Sequence, residues 1–183
     1  MSDEGRQLVA ELIAGDDRAF RSLYEQHGDG VCSFALRLTG SRDAADEIYQ
    51  HAWVKLAQSA RRLAPDTNVL AWLLRVARNH WHSGHRRERT RERHRETLTS
   101  QADPSWGARD FRPDTSAEQR RRLERLDRAL GELSEQHREV LLVMIEADDL
   151  PQHELAATLS LEPAVFRKRL SRARKALAEL MRD

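Results

Sequence analysis

Residues 154–177, ELAATLSLEPAVFRKRLSRARKAL, read as a short helix, a turn at Ser160-Leu161-Glu162 and a longer helix opened by Pro163. Proline suits the first turn of a helix, where the N–H it lacks has no intrahelical acceptor. Leu155, Leu159, Val165, Leu170, Ala173, Leu177 and Leu180 recur at helical spacing and form an expected apolar seam. Arg167, Lys168, Arg169, Arg172, Arg174 and Lys175 crowd the second helix. Two short helices with a cationic second member are the pattern of a helix-turn-helix that enters the DNA major groove. An amphipathic hairpin with a solvated basic face would carry the same residues, so this stretch alone leaves both readings open.

Charge along the rest of the chain favours the first reading. The formal net charge is only +1, but it is segregated. Residues 1–60 hold 6 Lys and Arg against 10 Asp and Glu, and residues 61–95 hold 10 against 3. Residues 96–162 then hold 8 against 15, and residues 163–183 hold 7 against 2. Two basic blocks separated by an acidic one imply polyanion contact at two places. A mean hydropathy of −0.74 and 33% charged residues argue against membrane insertion. Neither a spanning stretch nor a signal-peptide core is present in the sequence. A single cysteine, Cys32, excludes an internal disulfide framework and suits a reducing cytosol. Its neighbours Val31, Phe34 and Ala35 suggest a buried, inert thiol.

Apolar periodicity is helical nearly throughout, so the expected fold is all-α. Leu8, Val9, Leu12 and Ile13 begin a first helix, ended by Gly15. Asp16 caps a second with Phe20, Leu23 and Tyr24 inside. Val31, Phe34, Ala35 and Leu38 form a third, closed by Gly40. Ser41 or Asp43 caps a fourth, carrying Ile48, Ala52, Trp53 and Leu56. After an Ala64–Asn68 loop, Leu70, Leu73, Leu74, Ala77 and Trp81 mark a fifth, on whose apolar seam Trp72 is also expected. Periodicity lapses between about Arg95 and Ala117, where Pro104, Gly107 and Pro113 give linker composition and Trp106 and Phe111 stand out. It resumes at Leu123, Leu126 and Leu130, then Val140, Leu141, Val143 and Met144. The expected architecture is two small helical domains, 1–95 and 118–183, joined by a flexible linker at 96–117, the second domain containing the helix-turn-helix.

Nothing in the chain has the spacing of an enzyme site: there is no glycine-rich phosphate loop and no nucleophile–base pair. His80, His82 and His85 cluster, but His80 lies off the face shared by the other two, and no Cys, Asp or Glu ligand is expected nearby. No metal and no cofactor is therefore expected. The arginines from Arg86 to Arg95, broken by Glu88 and Glu92, suit a solvated helix and could also track phosphates.

The stretches AFRSLYEQHGDGVCSFALRLTG (19–40), ADEIYQHAWVKL (45–56) and VLAWLLRVARNHWHSGHRR (69–87), followed by ALGELSEQHREVLLVMIEADDLPQHELAATLSLEPAVFRKRLSRARKAL (129–177), resemble a bacterial RNA polymerase sigma factor. The resemblance is to the extracytoplasmic-function (ECF) type, which retains only the second and fourth conserved regions. It implies a cytoplasmic, non-enzymatic subunit that binds core RNA polymerase, recognises the −10 and −35 promoter elements and promotes DNA opening. Because such factors are commonly held inactive by an anti-sigma factor, an inhibitor of that kind is an expected partner.

By the same resemblance, Asp46, Glu47 and Gln50 supply polar contacts to the polymerase clamp, with apolar support from Ile48 and Trp53. Tyr49 and His51 depart from the family's small aliphatic residue and carboxylate. The loop from Ala64 to Asn68, including Asp66, would cradle a flipped −10 base, with Arg75, Arg78, Asn79, His82 and Arg86 facing opened DNA. Leu63-Ala64-Pro65 departs from the family's aromatic-basic-glycine run. Val165, Arg167, Lys168, Ser171, Arg172 and Arg174 fall on the −35 reader, where Val165 replaces a threonine and could touch a thymine methyl. Two alternatives carry the same helices: a free-standing helix-turn-helix regulator and a helical adaptor that does not bind DNA.

Overall fold

The computed structural model describes residues 3–92 and 117–182, with the side chains of 85–92 outside the description. The expected linker, with Trp106 and Phe111, lies almost wholly outside the described residues. Eight α-helices and one short 3-10 turn make up the described chain, without a strand among the described residues. They form two compact units, Met1–Ala35 with Asp46–Thr99 and Leu36–Ala45 with Ser100–Asp183.

The first unit opens with α1 (Asp3–Ala14). This helix stops at Gly15, whose φ of +89° is accessible to glycine at little cost. There Gly15 N–H donates to Leu12 O and Asp16 N–H to Glu11 O, both at 3.0 Å, closing the last turn. Asp16 then accepts from Arg18 N–H at 2.8 Å and starts α2 (Asp17–Thr39). The two helices expected on either side of Gly28-Asp29-Gly30 are one continuous helix. A glycine in a helix costs only about 1 kcal/mol, and Gly28 also has a packing role. A Cβ there would sit 3.2 Å from the Tyr49 hydroxyl. Val31, Phe34 and Ala35 are fully buried on its inner face, whereas Cys32 is only half-buried rather than buried.

Next comes α3 (Arg42–Ser59), where Ser41 Oγ accepts weakly from Ala44 N–H at 3.5 Å. A 3-10 turn at Ala60–Arg62 packs against α1 and leads through the loop to α4 (Val69–Glu92). Ile48, Ala52 and Leu56 of α3 and Leu73, Leu74 and Ala77 of α4 are at most 2% exposed and form the core here. Trp72, expected on that seam, is only half-buried.

The second unit comprises residues 36–45 with α5 (Ala117–Glu132), α6 (Glu135–Glu146), α7 (Gln152–Thr158) and α8 (Pro163–Leu180). Helix α8 packs on all three of the others. Within this unit Arg37 donates to Asp127 at 2.9 Å and Glu146 at 3.0 Å, a nearly buried cation between two carboxylates. Arg138 donates to the carbonyls of Leu130 and Gly131 in the last turn of α5 and of Leu133 just beyond it. Burial of one ion pair adds little net stability against an apolar replacement, but it fixes which groups must meet.

The turn before α8 folds as read, around Ser160 at φ +55°. Leu161 N–H donates back to Ala156 O at 2.9 Å and Ser160 N–H to Ala157 O at 3.0 Å, so the C-terminal carbonyls of α7 are satisfied by a left-handed residue. The apolar seam is buried at Leu155, Leu159, Leu170 and Ala173, half-buried at Leu177 and Leu180, and differs at Val165. Phe166 is fully buried with Leu170 and Ala173, while Val165 is 46% exposed. One residue along a helix is a 100° rotation, so on a helix covered from one side the two take different environments. Since a left-handed serine is strained where glycine is not, Ser160→Gly is expected to stabilise the protein by about 0.5–1 kcal/mol in chemical denaturation.

Candidate functional site

Helix α3 divides into rows spaced three or four residues apart. Ala45, Ile48, Ala52 and Leu56 point inward, and Asp46, Gln50 and Val54 point outward. Between these rows, Tyr49 and Trp53 join Phe20 and Tyr24 in an aromatic cluster with Trp53–Tyr24 ring centroids 4.7 Å apart and Trp53–Phe20 5.8 Å. Burial, with hydrogen bonding to Tyr24, pushes the Tyr49 phenol above its ordinary range, so it stays neutral. Of the five α3 residues singled out in the sequence, Asp46, Glu47 and Gln50 are exposed. Ile48 and Trp53 are only 2% and 5% exposed, so they hold the helix from beneath. Val54, at 54% exposure, was missed, although its place four residues after Gln50 was readable as a continuation of the outward row.

The loop and α4 carry the second set. Ala64 and Asp66 are exposed, as are Arg75 and Asn79, while Arg78 and His82 are half-buried. Arg86 lies on the described backbone of α4, its side chain outside the description. Asn68 serves the fold directly, since its Oδ1 accepts from Ala71 N–H at 2.9 Å and caps α4. A groove of about 500 Å³ separates the two helices, lined from α3 by Glu47, His51, Lys55 and Ser59 and from α4 by Trp72, Val76, Asn79, His80, Ser83 and Gly84. In it the His80 ring stacks on His51 at 3.8 Å, and His80 Nε2 lies 3.2 Å from Glu47 Oε1. A carboxylate is therefore close to the histidines after all, contributed by a helix distant in sequence.

All six residues singled out on α8 are exposed. At 100° per residue the solvent half runs from Val165 and Arg172 through Lys168 and Ser171 to Arg167 and Arg174. Val165, Lys168 and Arg172 fall within about 60° of one another. Arg174 lies at the other margin, its guanidinium donating to Met144 Sδ of α6 at 2.9 Å.

Helices throughout the described residues, exposed carboxylates at Asp46 and Glu47 on one helix and a basic exposed helix after a tight turn suit a transcription-initiation factor. Residues 23–91 match the family described as Sigma-70 region 2, and residues 123–177 match Sigma-70 region 4. The RNA polymerase sigma factor CnrH of Cupriavidus metallidurans is 28% identical over 183 residues, covering 98% of this chain and 95% of the relative. The ECF RNA polymerase sigma factor EcfG of Rhodopseudomonas palustris is 27% identical over 149 residues, covering 81% and 77%. Among solved structures, CnrH in complex with the cytosolic domain of CnrY aligns with a TM-score of 0.69 at 26% identity, over 98% and 97% of the two chains. The sigma factor RpoE bound to the anti-sigma factor NepR from Bartonella quintana shares the fold, with a TM-score of 0.73 at 23% identity over 89% and 96%. The chain belongs to the sigma-70 family of RNA polymerase sigma factors, in its ECF group. Among the described residues no helix is long and apolar enough to cross a membrane.

Because Asn68 caps α4, Asn68→Ala is expected to cost about 1 kcal/mol in denaturant unfolding, and Asn68→Ser to recover most of it.

Proposed function

We propose that the outward row of α3, Asp46, Gln50 and Val54 with neighbouring Glu47, binds core RNA polymerase, while Ile48 and Trp53 fix its register from below. The loop Ala64–Asn68 and α4, through Arg75, Arg78, Asn79, His82 and Arg86, engage the −10 element as it opens. Helix α8 reads the −35 element, with Val165, Lys168, Ser171 and Arg172 nearest base edges and Arg167 and Arg174 toward the phosphates. Residues 1–95 and 118–183 form the two functional domains, and 96–117 is the tether between them. The protein works in the cytoplasm without catalysing a reaction of its own, and the polymerase carries out the chemistry. It is held by an anti-sigma partner, in keeping with the structure of CnrH in complex with the cytosolic domain of CnrY.

The observation that carries this reading is the separation of acidic and basic surfaces. The exposed carboxylates of Asp46 and Glu47 on α3 suit a protein partner with a basic surface, whereas the exposed cations of α8 suit DNA. The two surfaces therefore fail separately when mutated. In run-off transcription with purified core polymerase, Arg172→Ala is expected to lower promoter-dependent product about tenfold, the scale of one lost base contact, and to leave core binding intact. Asp46→Lys is expected to abolish co-purification with core while leaving the thermal unfolding midpoint unchanged, since Asp46 is exposed. The opposite pairing of defects would overturn the assignment.

A further inference from the structure

The His51–His80 pair has no part in the functions proposed so far, yet its two rings stack between the helix assigned to polymerase and the helix assigned to the −10 element. Ring centroids are 3.8 Å apart and the planes are 20° from parallel. Near-parallel rings direct their in-plane lone pairs alongside each other rather than at one ion, so the pair is a poor chelate. Stacking requires at least one neutral imidazole, because two imidazolium rings at this separation repel.

The charged groups facing the pair are few. Glu47 and Lys55 lie on α3 beside His51, and His80 is the titratable group contributed by α4; Trp72, Val76, Asn79 and Ser83 complete the wall without charge. A protonated His80 has a partner in Glu47, 3.2 Å away and largely exposed. His51 sits one turn further along, toward Lys55, with no carboxylate of its own. Burial first, then His80 and Lys55, hold the His51 imidazole below its ordinary value of 6.5, with Glu47 opposing them. The folded protein therefore takes up this proton less readily than the unfolded chain. The stability this gives is complete above about pH 6.5 and is lost as pH falls below that value.

We propose that the His51–His80 stack is an acid-sensitive latch between α3 and α4, which opens when both rings are charged and so disturbs the α3 row that binds core polymerase. Its link to polymerase rests on the core-binding role proposed above. Glu47, which belongs both to the groove and to that surface, is the physical connection. At neutral pH the stack is closed and α3 is held. On acidification the rings separate and affinity for core falls.

The test measures core affinity and thermal unfolding of the full chain at about pH 7.5 and about pH 5.5, for the native protein, His51→Gln and His80→Gln. Each substitution keeps a polar side chain and removes the paired charge. Native protein should lose about fivefold more core affinity on acidification than either variant, and its unfolding midpoint should drop further than theirs. All three should bind equally at the higher pH. Equal acid sensitivity of native protein and both variants in unfolding would overturn the latch. Failure of all three to bind core at the higher pH would instead overturn the core-binding reading, with the unfolding comparison still deciding the latch.

Discussion

The helical period of α3 is the constraint on which the first unit depends. Ile48, Ala52 and Leu56 repeat every four residues and are at most 2% exposed. Burying large aliphatic side chains contributes about 1.5–3 kcal/mol each, so the helix cannot rotate without losing several times the energy of any surface contact. Once that row faces inward, the others are placed by geometry. Asp46, Gln50 and Val54 must face out, Tyr49 and Trp53 must meet the aromatic residues of α2, and Glu47, His51, Lys55 and Ser59 must line the groove toward α4. One hydrophobic register thus sets an outward polar face, an aromatic cluster and a titratable groove.

The second unit repeats this logic with α8 at its centre. Phe166, Leu170 and Ala173 lock the helix against its neighbours, and the turn at Ser160 fixes the point at which it begins. What remains outside is Val165, Lys168, Ser171 and Arg172, with Arg167 and Arg174 toward one side. Because Arg174 already reaches Met144, its charge is tied to the protein surface more firmly than that of Lys168 or Arg172. A helix held so firmly on one side presents its cations in a fixed order, which base reading needs and simple charge attraction does not.

Much of this was legible in the sequence. The helix-turn-helix around Ser160, the cap at Asp16, the stop at Gly15 and the inward row of α3 follow from local rules. Misreadings arose where a tertiary contact competes with a local rule. The apolar groups around Phe20 and Phe34 read as two helices, but α2 runs unbroken between them, and the close approach of Tyr49 makes Gly28 a packing residue. Val165 and Phe166 are both apolar and adjacent, so period alone did not say which of them faces inward; the fold buries the larger ring. The same limit hid the groove. His51 and His80 lie on different helices, and no spacing rule along one helix could pair them or bring Glu47 beside His80. The roles of individual side chains toward polymerase and promoter came from family resemblance, which periodicity and charge could support but not supply.

As a sigma factor, this chain acts with core polymerase to open promoter DNA rather than binding DNA alone. Permanganate reactivity of unpaired thymines around the −10 element measures that directly. Reactive thymines are predicted when the chain and core polymerase are both present, and none with either component by itself. Tight binding of the chain alone to duplex DNA, with no thymine made reactive on adding core, would contradict it.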